Sequence, residues 1–199
     1  MLKNDLATLP ERPEAYRSKL VVYLFLASLG MFFAASLASY CIIRANAFRD
    51  LEREYLPLTL PTSFWVSTAL LIGVSFCLHR ACFQVRRERL QPFRFWIGLA
   101  TVLGVGFCFL QSFGMHYLME THFSRADGSA KSYGICFTLA FLHALHVIGG
   151  LVFLLVILHG TYREKFDHER HWAVDNCANY WHFLDFVWFA MLATFLIAR

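Results

Sequence analysis

Five apolar runs, each long enough to cross a bilayer, constrain this 199-residue chain more than any other feature. They cover about residues 19–44, 62–83, 93–119, 133–162 and 176–198. A helix of ~20 apolar residues crosses the hydrocarbon core, so the ~30-residue fourth run tilts or protrudes. The expected fold class is all-α: a polytopic membrane bundle of five transmembrane helices. The whole of 19–199 forms one domain behind a cytoplasmic lead-in at 1–18. Composition agrees, with 58% hydrophobic and 16% charged residues and 21 phenylalanines. Such a balance does not suit a soluble fold.

The net charge of +4 suggests a nucleic-acid partner only until the charges are located. They sit between the apolar runs, and the densest basic stretch, residues 80–94, reads as a cytoplasmic loop able to touch anionic lipid. Twelve Lys and Arg fall at the N-terminus and in the second and fourth loops, and six on the opposite side. The positive-inside rule then puts the N-terminus inside and the C-terminus outside, with no nucleic acid among the partners. A polar start (1–18) followed by a run of spanning length argues against a cleaved signal peptide.

Loop and packing signals follow from residue type. Asp50, Glu52, Arg53 and Glu54 lead to Pro57 and Pro61, and ADGSA at 126–130 marks a turn. Trp65 lies where an interfacial ring would anchor the second span. Small residues recur every fourth position at Gly30, Ala34 and Ala38, and again at Ala100, Gly104, Cys108 and Ser112. Such stripes allow helices to approach closely. The six cysteines, Cys41, Cys77, Cys82, Cys108, Cys136 and Cys177, form no metal-ligand or haem-attachment spacing and read as small buried apolar residues.

Polar side chains inside the spans are costly and need an explanation. His143 and His146 share one helix face by their spacing, as do His182 and Asp185 on the next span. Gln111 sits within the third run. One reading is a zinc or iron site in the bundle core, which would make the chain a membrane metalloenzyme. Height argues against it: counting from the inner ends, His146 lies roughly 20 Å up its span and Asp185 only ~12 Å up its own. The zincin pattern is missing as well. The other reading is mutual satisfaction across helix interfaces or with lipid head groups. On that reading Gln111 bonds His143, and Trp181, His182 and Asp185 cradle a head group at the foot of the fifth span.

These residues also resemble a known family, subunit III of the haem–copper respiratory oxidases. AFLHALHVIGG at 140–150 is similar to its TGFHGxHVxxG, and YWHFLDFVW at 180–188 to its YWHFVDVVW. LFLASLGMFF at 24–33 resembles FxxSExxFF, WVSTALLIGVS at 65–75 resembles LLNTxxLLxSS, and FCFLQSFGMHY at 107–117 resembles FxxxQxxEY. All five spans are covered, as in the five-helix bacterial form. Two family acids are replaced, by Leu29 and by Gly114. The first is linked in the family to proton uptake, a role not carried onto Leu29.

The resemblance implies a non-catalytic accessory subunit of a bacterial terminal oxidase, with no redox cofactor of its own. Haem and copper would lie in the catalytic subunit I, with subunit II a further partner. Phospholipids would be held in a cleft, and the complex would reduce oxygen and pump protons in the bacterial cytoplasmic (inner) membrane. The electron donor stays open between cytochrome c and a quinol. The related small subunit associated with nitric oxide reductase is the alternative within the fold. The candidate lipid-binding or interhelical polar cluster is His143, His146, Trp181, His182, Asp185 and Gln111, with no catalytic residue and no metal ligand.

Overall fold

Long apolar sequences with few interior breaks become long helices, and the computed structural model is all-helical among its described residues, 13–49, 62–87, 89–124, 130–162 and 172–197. Five helices follow in order: α1 Pro13–Arg49, α2 Ser63–Val85, α3 Leu90–Ser124, α4 Ala130–Tyr162 and α5 Trp172–Ile197. Each is long and apolar enough to cross a membrane. Prolines sit where helices tolerate them, Pro13 opening α1 and Pro92 in the first turn of α3. The acidic loop after Asp50, most of the ADGSA turn, residues 1–12 and the loop at 163–171 lie outside the described residues.

Two boundaries differ from the sequence expectation. The basic stretch at 80–94 is mostly helix, with only residues 86–89 between α2 and α3. Gln84 accepts from the backbone N–H of Arg87 and of Arg89, both at 3.1 Å, which turns the chain at once. The α5 helix opens at Trp172 rather than near Asn176, because Asp175 in its first turn suits the positive helix end.

The α2–α3 and α3–α4 pairs form antiparallel hairpins, while α5 packs on α4, α2 and α1. Half of the apolar window of α5 is buried, against 17% for α1, so α5 is the central helix and α1 the outermost. The buried line on α1 is Leu26, Leu29, Phe33, Tyr40 and Arg44. The stripe expected there is only partly used: Gly30 meets Phe183, while Ala34 and Ala38 are exposed. The α3 stripe is used in its N-terminal half. Ala100 and Gly104 are buried, Cys108 is half-buried and Ser112 is exposed.

One residue explains that close approach. Trp181 is fully buried in the wedge between α3, α4 and α5. A methyl group on Gly104 would stand 3.3 Å from its ring and 2.7 Å from Leu151, and one on Gly150 would stand 3.0 Å from the same ring. The two glycines therefore make the space that the indole fills. Of the cysteines, Cys77, Cys136 and Cys177 are buried as expected, whereas Cys41 is exposed and Cys82 and Cys108 are intermediate; all six are free thiols.

Candidate functional site

The α2 and α5 helices run antiparallel, and their polar side chains meet in rungs. At one end Arg86 pairs with Asp175 at 3.1 Å. Further along, Ser75 Oγ lies 2.9 Å from His182 Nδ1 and bonds Asp185 Oδ2. Two turns beyond Ser75, Trp188 Nε1 donates to Thr68 Oγ1 at 2.8 Å. A serine hydroxyl has one proton. With Asp185 ionised, that proton goes to its carboxylate, so His182 donates from Nδ1 and Ser75 links the pair.

The second polar group lies deeper in the bundle. Gln111 is buried and its Oε1 accepts from Ser67 at 3.3 Å. His143 is fully buried among aromatic rings, with centroids 5.2 Å from Trp188 and 6.3 Å from both Phe33 and Phe107. The expected Gln111–His143 hydrogen bond is not formed: Gln111 turns to α2, and its Nε2 and both His143 nitrogens have no partner among the described residues. His146 Nδ1 instead bonds its own helix at Leu142 O, 2.7 Å away, and Phe33 covers its ring at 5.6 Å.

The six expected cluster residues are thus not one cluster. Trp181 is a packing residue, buried away from any head-group cradle. His182 and Asp185 face α2, His143 faces aromatic rings, and His146 faces α1. Height does not separate these groups. Gly150 lies against Trp181 and His143 against Trp188, so the antiparallel register sets His146 level with Asp185. Because α5 starts at Trp172, four residues before Asn176, Asp185 stands higher than its sequence position suggests. Direction around the helix axes, not height, keeps these groups apart. No group of three or more His, Cys, Asp or Glu side chains converges on one point among the described residues.

Sequence reasoning missed Ser67, Thr68 and Ser75, the α2 partners. Their signal was available: three hydroxyls in an apolar run, seven residues apart from Thr68 to Ser75, matching the rungs on α5. It also missed what stands at Gly114. A side chain there would begin 2.5 Å from Phe64 Cε1, so the buried Phe64 ring fills the space beside Gly114.

The sequence pattern of the family described as cytochrome c oxidase subunit III matches residues 18–197. The chain belongs to that family. It is an accessory subunit III of the haem–copper oxidase type. A "Probable cytochrome c oxidase subunit 3" of Nocardia farcinica is 31% identical over 176 residues, 88% of this chain and 85% of the relative. A protein of the same description from Mycobacterium bovis is 32% identical over 176 residues, with the same coverage. The "Cytochrome c oxidase subunit 3" of Heterololigo bleekeri is 44% identical over 71 residues, covering 35% of this chain and 26% of that one. Subunit III membership fits a site built of interhelical ties rather than of convergent ligands.

Proposed function

We propose that this chain is a helical clamp for the haem- and copper-bearing subunit of a bacterial terminal oxidase. In this reading it has no redox centre of its own, steadies the complex during turnover and holds phospholipid. It lies in the cytoplasmic membrane with its N-terminus inside and its C-terminus outside, beside subunit I and with subunit II in the complex. One observation carries the reading: several polar groups of α3 and α5 tie those helices to hydroxyls of α2. Asp185 and His182 meet Ser75, Trp188 meets Thr68, and Gln111 meets Ser67. A group locked in such a tie steadies the bundle and is poorly placed to ligate a metal or transfer a proton to substrate. The exposed apolar face of α1, including Met31, Phe32 and Ile42, supports a helix that meets lipid or a partner chain.

Affinity purification of the tagged chain from mild-detergent membranes tests the proposal. The expected preparation contains a haem- and copper-bearing oxidase subunit in equal amount, with oxygen-reductase activity. Recovery of the chain without any haem protein would refute the clamp.

A further inference from the structure

Besides its tie to α2, Gln111 lines a groove of about 330 Å³ between α3 and α4. Of the residues around that groove only Gln111 is buried, at 1% exposure, so it forms the floor. Its Oε1 accepts from Ser67, whereas its Nε2 has no partner among the described residues. A buried amide donor left without an acceptor is costly, and here it stands at the foot of an open groove. The walls are apolar: Phe137, Phe141, Leu145 and Ile148 from α4, and Met115 and Met119 from α3. The Phe137 and Phe141 rings lie 6.2 Å apart and within 8° of parallel, which gives one wall a flat aromatic face. The α3 thioethers favour contact with a ring as well. No lysine or arginine lines the groove among the described residues, so a carboxylate or phosphate would lie there unpaired.

Depth narrows the choice of ligand. Gln111 and Phe141 each stand about six residues from the middle of their spans, Leu90–Glu120 and Gly134–Thr161. At ~1.5 Å per residue that is ~9 Å from the midplane, about 6 Å inside a hydrocarbon core ~30 Å thick. The ester carbonyls of a phospholipid lie outside that core, so its acyl chains reach the groove but its acceptors do not reach the amide. The missing acceptor belongs to a neutral molecule dissolved in the core itself. An isoprenoid quinone has that chemistry: a planar ring, two carbonyl acceptors, no charge and an apolar tail to lie along the wall side chains. We propose that the α3–α4 groove binds the ring of an isoprenoid quinone, with one carbonyl accepting from Gln111 Nε2.

The test uses the full chain in phosphatidylcholine nanodiscs, photolabelled with an azidoquinone and challenged with decylubiquinone, the labelled peptides being identified by mass spectrometry. Labels are expected within residues 108–119 and 137–148, with decylubiquinone protecting both. Gln111→Leu removes the donor at similar volume and should raise the half-protecting concentration about fivefold, the worth of one hydrogen bond. Ser67→Ala removes the tie to α2 but keeps the amide donor, and should stay near the wild-type value. Ala144→Phe fills the groove while keeping the amide and should abolish the labels, which keeps the test decisive even if Gln111→Leu does not fold. Labels elsewhere, no protection by decylubiquinone, or unchanged protection in both Gln111→Leu and Ala144→Phe would overturn the site. Equal protection by hexadecane would overturn the quinone and give the groove to acyl chains. Loss of the labels in the intact oxidase complex would overturn it in favour of a partner helix.

Discussion

Ser75 on α2 and Asp185 on α5 are joined directly by a hydrogen bond, and the same hydroxyl meets His182 at 2.9 Å. A carboxylate inside a membrane bundle is tolerated only when such partners hold it. The relationship explains why YWHFLDFVW carries an acid and a histidine one turn apart: both reach one hydroxyl on the neighbouring helix.

Replacing Asp185 separates shape from bonding. Asp185→Asn keeps the size and can still bond Ser75, so the chain should assemble with its oxidase. Asp185→Leu leaves the Ser75 hydroxyl without its acceptor on α5. Interhelical bonds in membranes average only ~0.6 kcal/mol, so the bundle should fold, but subunit and lipid should be lost during detergent purification. Quantifying chain and lipid per haem in the two preparations checks this, and the surviving complex should show a near-normal initial electron-transfer rate.

Trp181 should be the most sensitive packing position. Its fully buried ring fills the gap left by Gly104 and Gly150. Trp181→Ala is expected to cost about 3–5 kcal/mol, and Gly150→Leu to block helix approach altogether. Thermal unfolding of the purified chain in detergent should show both as large losses, and a Tm unchanged in Trp181→Ala would contradict the packing role.

Gly114 and Phe64 should be coupled. Because Phe64 Cε1 stands 2.5 Å from where a Gly114 side chain would begin, Gly114→Ala alone should cost about 1–3 kcal/mol. In a Phe64→Ala background the same change should cost clearly less. A double-mutant cycle on unfolding temperature measures the coupling, and strict additivity would show that the ring does not crowd a side chain at Gly114.

Much of this fold is written in the sequence, and the rest depends on contacts between distant residues. The five spans were legible because ~20-residue apolar stretches admit little else. The short α2–α3 connection was not, since the polar residues Arg80 and Gln84 lie within the last turns of α2, where Arg80 rests over Phe76 and Gln84 accepts the turn's backbone N–H groups. The early start of α5 was masked in the same way by Asp175 and Asn176. The stripe through Ala34 and Ala38 has the spacing of a packing face, yet spacing alone does not say whether the face meets this chain or another surface. Gln111 and His143 do stand at similar heights, but which way each side chain turns depends on Ser67, a residue from a third helix.

Orientation follows from the charge bias. Reporter fusions in the α2–α3 connection at 86–89 and in the loop at 163–171 should both read cytoplasmic, as the twelve-to-six distribution of Lys and Arg requires. Periplasmic signals from both would invert the bundle.

The most direct measurement is the oxygen-reduction time course of the oxidase complex with this chain present and with it deleted. A clamp without catalytic residues should leave the initial rate per haem close to normal, while activity decays faster over successive turnovers and recovers when the chain is restored. An initial rate that falls to background in an otherwise intact, fully haem-loaded complex would place catalysis in this chain and contradict the account.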